Sequence, residues 1–137
     1  MLSYSTAVRE PPPLAGRNVL VVEDEYFLAD DISRSLKAWG AHVVGPVGYI
    51  REALDLLEAN RTIDAAILDI NIGSEMVFPL ARTLRARRIP FVFTTGYERT
   101  IVEPEFRDIP LWEKPIDMFV LGRALAGMIS TADAPKA

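Results

Sequence analysis

Apolar residues occur along the chain in two alternating patterns: short unbroken runs, and longer stretches in which they return every three or four positions. Segments at 18–22, 41–45, 64–68, 91–94 and 109–112, each built on a short apolar run, predict strands. Between them, 27–39 places Leu28, Ile32, Leu36 and Trp39 on one helical face, with Gly40 following as a C-terminal stop. Ile50, Ala53, Leu54 and Leu57 repeat that signature over 50–60. Val77, Leu80, Ala81 and Leu84 do so for a helix ending near residue 87. Pro79 is tolerable there only in the first turn, which puts the start at 75–78. The stretch 97–109 has little helical pattern and is broken by Pro104, so at most a short or distorted helix is expected. Asp117 is positioned to cap a last helix with Val120, Leu121, Ala124, Leu125 and Met128 inward. Residues 1–16, with Pro11, Pro12 and Pro13, read as an extended tail, and 130–137 as a frayed terminus. One domain is therefore expected over 17–129.

Strands alternating with helices imply an α/β fold with a doubly wound parallel sheet covered on both faces. Sites in such sheets form outside the C-terminal strand ends. Here those ends carry Glu23-Asp24-Glu25, Asp69, Thr94-Thr95-Gly96 and Trp112-Glu113-Lys114-Pro115. Asp24 and Asp69 would repel each other in a poorly solvated cleft unless a cation lies between them, and an all-oxygen donor set suits Mg²⁺. Lys114 adds a mobile positive charge able to pair with Asp69 or with a phosphoryl group on it. A threonine hydroxyl at 95 can donate to a phosphoryl oxygen. Composition narrows the alternatives. The 137 residues carry a net charge of −4, which argues against a nucleic-acid surface. Without cysteine there is no thiol chemistry, and the single His42 excludes a multi-histidine metal site within one chain. No apolar run approaches the roughly 20 residues that span a bilayer, and no secretion signal is evident at the N-terminus, so a cytoplasmic location is expected.

The segments VLVVEDE (19–25), AILDIN (66–71), FTTG (93–96) and EKP (113–115) stand in an order that resembles the receiver domain of two-component response regulators. The resemblance implies a flavodoxin-like sheet of strand order 2-1-3-4-5. It makes Asp69 the phosphoacceptor and assigns Glu23, Asp24, Asp69 and the main-chain carbonyl of Asn71 to Mg²⁺. Thr95 becomes the switch hydroxyl, Lys114 the amine that contacts the phosphoryl group, and the Lys114–Pro115 bond cis. The implied phosphodonor is a sensor histidine kinase or a histidine phosphotransfer protein. Receivers commonly carry Tyr or Phe three residues before the lysine; Leu111 stands there, beside Trp112, so activation without an aromatic swing is expected. The Phe-x-Thr-Gly-Tyr run at 93–97 resembles a subgroup of stand-alone receivers that act as phosphoryl-relay hubs, sinks or adaptors.

The expected function is a single-domain response regulator that signals by protein contact or phosphoryl flux and is not an enzyme beyond its own phosphorylation and slow dephosphorylation. No output domain is expected in the residues outside 17–129, a reading that changes if the chain is a fragment of a longer protein. Two other readings stand beside it: a receiver-like adaptor that works without phosphorylation, and an aspartate-based phosphatase. Retention of Asp24, Asp69, Thr95 and Lys114 disfavours the first. Asn71 disfavours the second, since an amide cannot serve as the general acid or base that such phosphatases place two residues after the nucleophile. A flavodoxin-type electron carrier is set aside because Glu23-Asp24-Glu25 would repel a flavin phosphate. His42 and Trp39 are read as structural, and Arg82, Arg85, Arg87 and Arg88 as a solvated helix face.

Overall fold

The five apolar runs become one parallel sheet: β1 (Asn18–Val22), β2 (His42–Val47), β3 (Ala65–Asp69), β4 (Phe91–Thr95) and β5 (Leu111–Glu113), in the order β2-β1-β3-β4-β5. The computed structural model describes residues 12–60, 62–96 and 102–134. Among the described residues four helices cover the sheet: α1 (Tyr26–Ala38), α2 (Ile50–Ala59), α3 (Phe78–Ala86) and α4 (Met118–Asp133). Successive strand side chains point to opposite faces, which divides the core in two. Leu20, Val22, Ala66, Leu68, Phe91 and Phe93 pack under α2 and α3. Val19, Val21, Ala65, Ile67 and Val92 pack under α1 and α4. Every residue of β3 is buried, as a central strand covered on both sides requires. This is the flavodoxin-like doubly wound arrangement and strand order expected. Among the described residues no helix is long and apolar enough to cross a membrane.

Several local expectations change. Strand β2 runs two residues further than the 41–45 pattern, because its register against β1 slips by one residue between Leu20↔Val44 and Val22↔Val47. The extra residue is absorbed at Gly45, whose φ of +96° favours glycine. The packed body also begins before residue 17 and continues past 129. Leu14 is fully buried and its N–H donates to the Trp39 carbonyl at 2.9 Å, while α4 continues to Asp133, which pairs with Arg17 at 2.6 Å. The inward stripe of α4 is Leu121, Gly122, Leu125 and Ile129, and Val120 faces outward. Gly122 lies against the Trp39 ring, where a Cβ would come within 3.1 Å, and this close approach rotates the helix away from the register inferred for Val120.

The region after β4 is distorted as expected, although 97–101 lie outside the described residues. Pro104–Phe106 form a single 3₁₀ turn that delivers Phe106 into the core, stacked on Phe78 with centroids 5.5 Å apart and edge-on to Phe91 and Phe93. The arginine run is correspondingly more than a solvated face. Arg82 ion-pairs with Glu103 and Glu105, Arg85 with Asp108, and both guanidinium groups lie over the Phe106 ring. Arg87 donates to the Leu57 carbonyl at 2.7 Å, joining α3 to the end of α2.

Candidate functional site

The chain leaves β1 at Glu23 and β3 at Asp69, so neighbouring parallel strands deliver two carboxylates to the same sheet edge. Both are buried, at 4% and 5% exposure, while Asp24 beside them is exposed. Burying two acids is costly unless their charges are balanced. Lys114, carried in from the end of β5, supplies the balance. Its Nζ lies 2.9 Å from Asp69 Oδ2 and 3.1 Å from Glu23 Oε1, with the exposed Glu25 at 3.8 Å. The Lys114 main chain is held by donation of its N–H to the Thr95 carbonyl at 2.9 Å, and the Lys114–Pro115 bond is cis, as the resemblance implied. Main-chain donors fix the acids. Asn71 N–H reaches Asp69 Oδ1 at 3.0 Å, Gly73 N–H reaches Asp24 Oδ2 at 2.8 Å, and Glu25 N–H reaches Glu23 Oε2 at 3.0 Å.

The electrostatics follow from this packing. Burial, helped by the adjacent negative charge of Asp69, pushes the Glu23 carboxyl up to about 7. Burial works against the Lys114 ammonium, but its hydrogen bond to Asp69 and the charge of Glu23 outweigh it, and its pKa is raised. Glu23 Oε1 is buried and is held by charge rather than by an aligned hydrogen bond. Glu23, Asp24 and Asp69 each offer a carboxylate oxygen, all within 4.8 Å of one another. That span, a donor set made entirely of hard oxygens, and the under-bonded Glu23 oxygen fit a small divalent cation such as Mg²⁺.

The structure therefore brings Glu23, Asp24, Asp69 and Lys114 into one cluster. Thr95, buried at the end of β4, sits directly beside it through its carbonyl bond to Lys114. Asn71 is exposed and paired with Met76 in a two-residue antiparallel ladder, Asn71–Ile72 with Glu75–Met76, that the pattern did not predict. Two contributors were given no role by the sequence. Glu25 faces Lys114, and its place in the acidic run was the available signal. Gly73, at φ +61° in the ladder's turn, presents the N–H that holds Asp24.

No protein-family model matches the chain. Over 89 residues, 64% of the chain, it is 32% identical to the transcriptional regulatory protein PdtaR of Mycobacterium tuberculosis; the matched part is 43% of that relative, so the chain spans less than half its length. Among solved structures, SdrG from Sphingomonas melonis Fr1 is 40% identical, with 82% of the chain and 96% of SdrG covered and a TM-score of 0.73. SdrG from Pseudomonas melonis Fr1 in its BeF3-activated conformation is 39% identical, with 84% and 98% covered and a TM-score of 0.69. The receiver domain of the hybrid histidine kinase CckA is 25% identical, with 82% and 98% covered and a TM-score of 0.67. A parallel sheet of order 2-1-3-4-5, an acid–lysine cluster at its C-terminal edge and these likenesses agree, and the chain belongs to the family of response-regulator receiver domains.

Proposed function

We propose that the chain is a phosphoacceptor signalling protein that takes a phosphoryl group on Asp69 from the phosphohistidine of a sensor histidine kinase or histidine phosphotransfer protein, in a Mg²⁺-dependent reaction. The observation that carries this reading is the Asp69 carboxylate 2.9 Å from the Lys114 amine, with Glu23 and Asp24 oxygens within 4.8 Å. An Asp69 oxygen attacks phosphorus, the P–O bond forms as the P–N bond breaks, and the electron pair leaves with the donor imidazole. Lys114 then pairs with the phosphoryl oxygens in place of the Asp69 charge it now balances, and the Thr95 hydroxyl donates to one of them. Bound Mg²⁺, held by Glu23, Asp24, Asp69 and the Asn71 carbonyl, would offset charge on the transferring oxygens. Asn71 supplies no general base for hydrolysis, which favours a phosphoryl group that persists. The output is contact with another protein or onward phosphoryl flux rather than turnover of a substrate. Existence of a BeF3-activated conformation in SdrG supports this reading.

Incubation with a small acyl phosphate or a candidate kinase, followed by mass measurement of the intact chain, tests it. Phosphorylated native protein is expected, with loss in Asp69→Asn and a sharp fall in EDTA. Undiminished phosphorylation of Asp69→Asn would remove Asp69 as the acceptor.

A further inference from the structure

We infer that Gly48 is a positioning residue for Asp24, so that the loop after β2 sets the geometry of the metal-binding carboxylates; this rests on the Mg²⁺ reading of the same site. The one-residue slip between β1 and β2 brings residues 47–48 across the end of β1. There the Val47 carbonyl accepts the Glu23 N–H at 2.9 Å. Gly48 then lies flat on the next residue. A Cβ built on it would stand 3.3 Å from Asp24 Cα, 3.5 Å from Asp24 Cβ and 3.8 Å from the Glu23 carbonyl oxygen.

Gly48, unlike Gly45, does not occupy the left-handed region, so what glycine provides here is space rather than conformational freedom. Each side of the contact is tied by a hydrogen bond. The loop is tied to Glu23 by the Val47 bond, and the Asp24 carboxylate is tied to Gly73 N–H. A side chain at 48 therefore acts as a wedge, shifting Asp24 by a few tenths of an ångström relative to Glu23 and Asp69. Coordination of Mg²⁺ is intolerant of such shifts, since the ion demands near-ideal octahedral geometry at about 2.0–2.1 Å.

The experiment is Mg²⁺ titration by calorimetry of the native chain, Gly48→Ala, Gly48→Val and Asp24→Asn, with urea unfolding of each in EDTA. Gly127→Ala serves as the control, because a Cβ at 127 meets no atom within 4 Å. Gly48→Ala is expected to weaken Mg²⁺ about tenfold, the scale for groups that orient metal ligands, and Gly48→Val further. Gly127→Ala should bind Mg²⁺ as the native chain does. Because Gly48→Val risks misfolding, Gly48→Ala decides the matter. Its urea midpoint in EDTA should stay close to native, and Asp69 phosphorylation should recover at saturating Mg²⁺. Native affinity in Gly48→Ala, or a loss that high Mg²⁺ does not restore, overturns the inference while leaving the metal site standing. Absence of Mg²⁺ binding by the native chain overturns the metal reading, and this inference with it.

Discussion

Replacing Lys114 with methionine keeps an unbranched side chain out to the ε position and removes the charge that separates two buried acids. Nζ lies within 2.9 and 3.1 Å of carboxylates whose side chains are only 6% and 1% exposed, so solvent cannot substitute for it. Removing one partner of a buried ion pair typically costs about 3–5 kcal/mol. Glu23 can lessen this by keeping a proton, since burial already pushes its carboxyl up to about 7. The sign follows from linkage. A folded-state value above the ordinary 4.5 means that Glu23's contribution to stability is full below that value and is lost as pH rises through about 7. Without Lys114 the folded value rises further, and the variant goes on losing stability above pH 7 while the native chain does not. One pH unit corresponds to about 1.4 kcal/mol. In EDTA, Lys114→Met is therefore expected to cost about 3 kcal/mol near pH 6 and roughly 1.4 kcal/mol more near pH 8. Saturating Mg²⁺ should narrow the difference, because without the ammonium competing for the two acids the variant binds the ion more tightly than the native chain does, and each tenfold in Kd is worth about 1.4 kcal/mol. Urea unfolding at both pH values, with and without Mg²⁺, measures each quantity. A variant as stable as native near pH 8, or a loss indifferent to both pH and Mg²⁺, would refute the reasoning.

Phe106→Ala removes a fully buried ring from a four-phenylalanine cluster and should cost about 3–5 kcal/mol by chemical denaturation, with amide protection lost first over 102–109. Arg82→Ala should cost much less, because the ion pairs it breaks face solvent, and the loss should shrink with added salt. Thr95→Ala should still accept phosphoryl on Asp69 yet fail to show the change in hydrogen exchange over 102–112 that phosphorylation, or BeF3 with Mg²⁺, produces in the native chain. An unchanged response would argue against Thr95 as the switch hydroxyl.

The sequence alone determined which residues meet at the sheet edge. Chemistry in a doubly wound sheet lies where strands end, and unbroken apolar runs such as 19–22 and 65–68 mark those ends; Glu23, Asp24, Asp69, Thr95 and Lys114 were legible for that reason. Pro79 and Asp117 located helix starts because their effects are local: one lacks an N–H, and the other accepts the Phe119 and Val120 amides. What only the tertiary structure decided depends on distant partners. Val120 turns outward because Gly122 meets Trp39, from the end of α1. Arg82 and Arg85 are clamps because Glu103, Glu105 and Asp108 come to them across the turn that buries Phe106. The bulge at Gly45, and with it the placement of Gly48 against Asp24, follows from cross-strand register, which no single strand's pattern encodes. Glu23 is raised to about 7 for the same reason. Its ionisation is set by burial and by Asp69, a residue 46 positions away that pairing of β1 with β3 makes its neighbour.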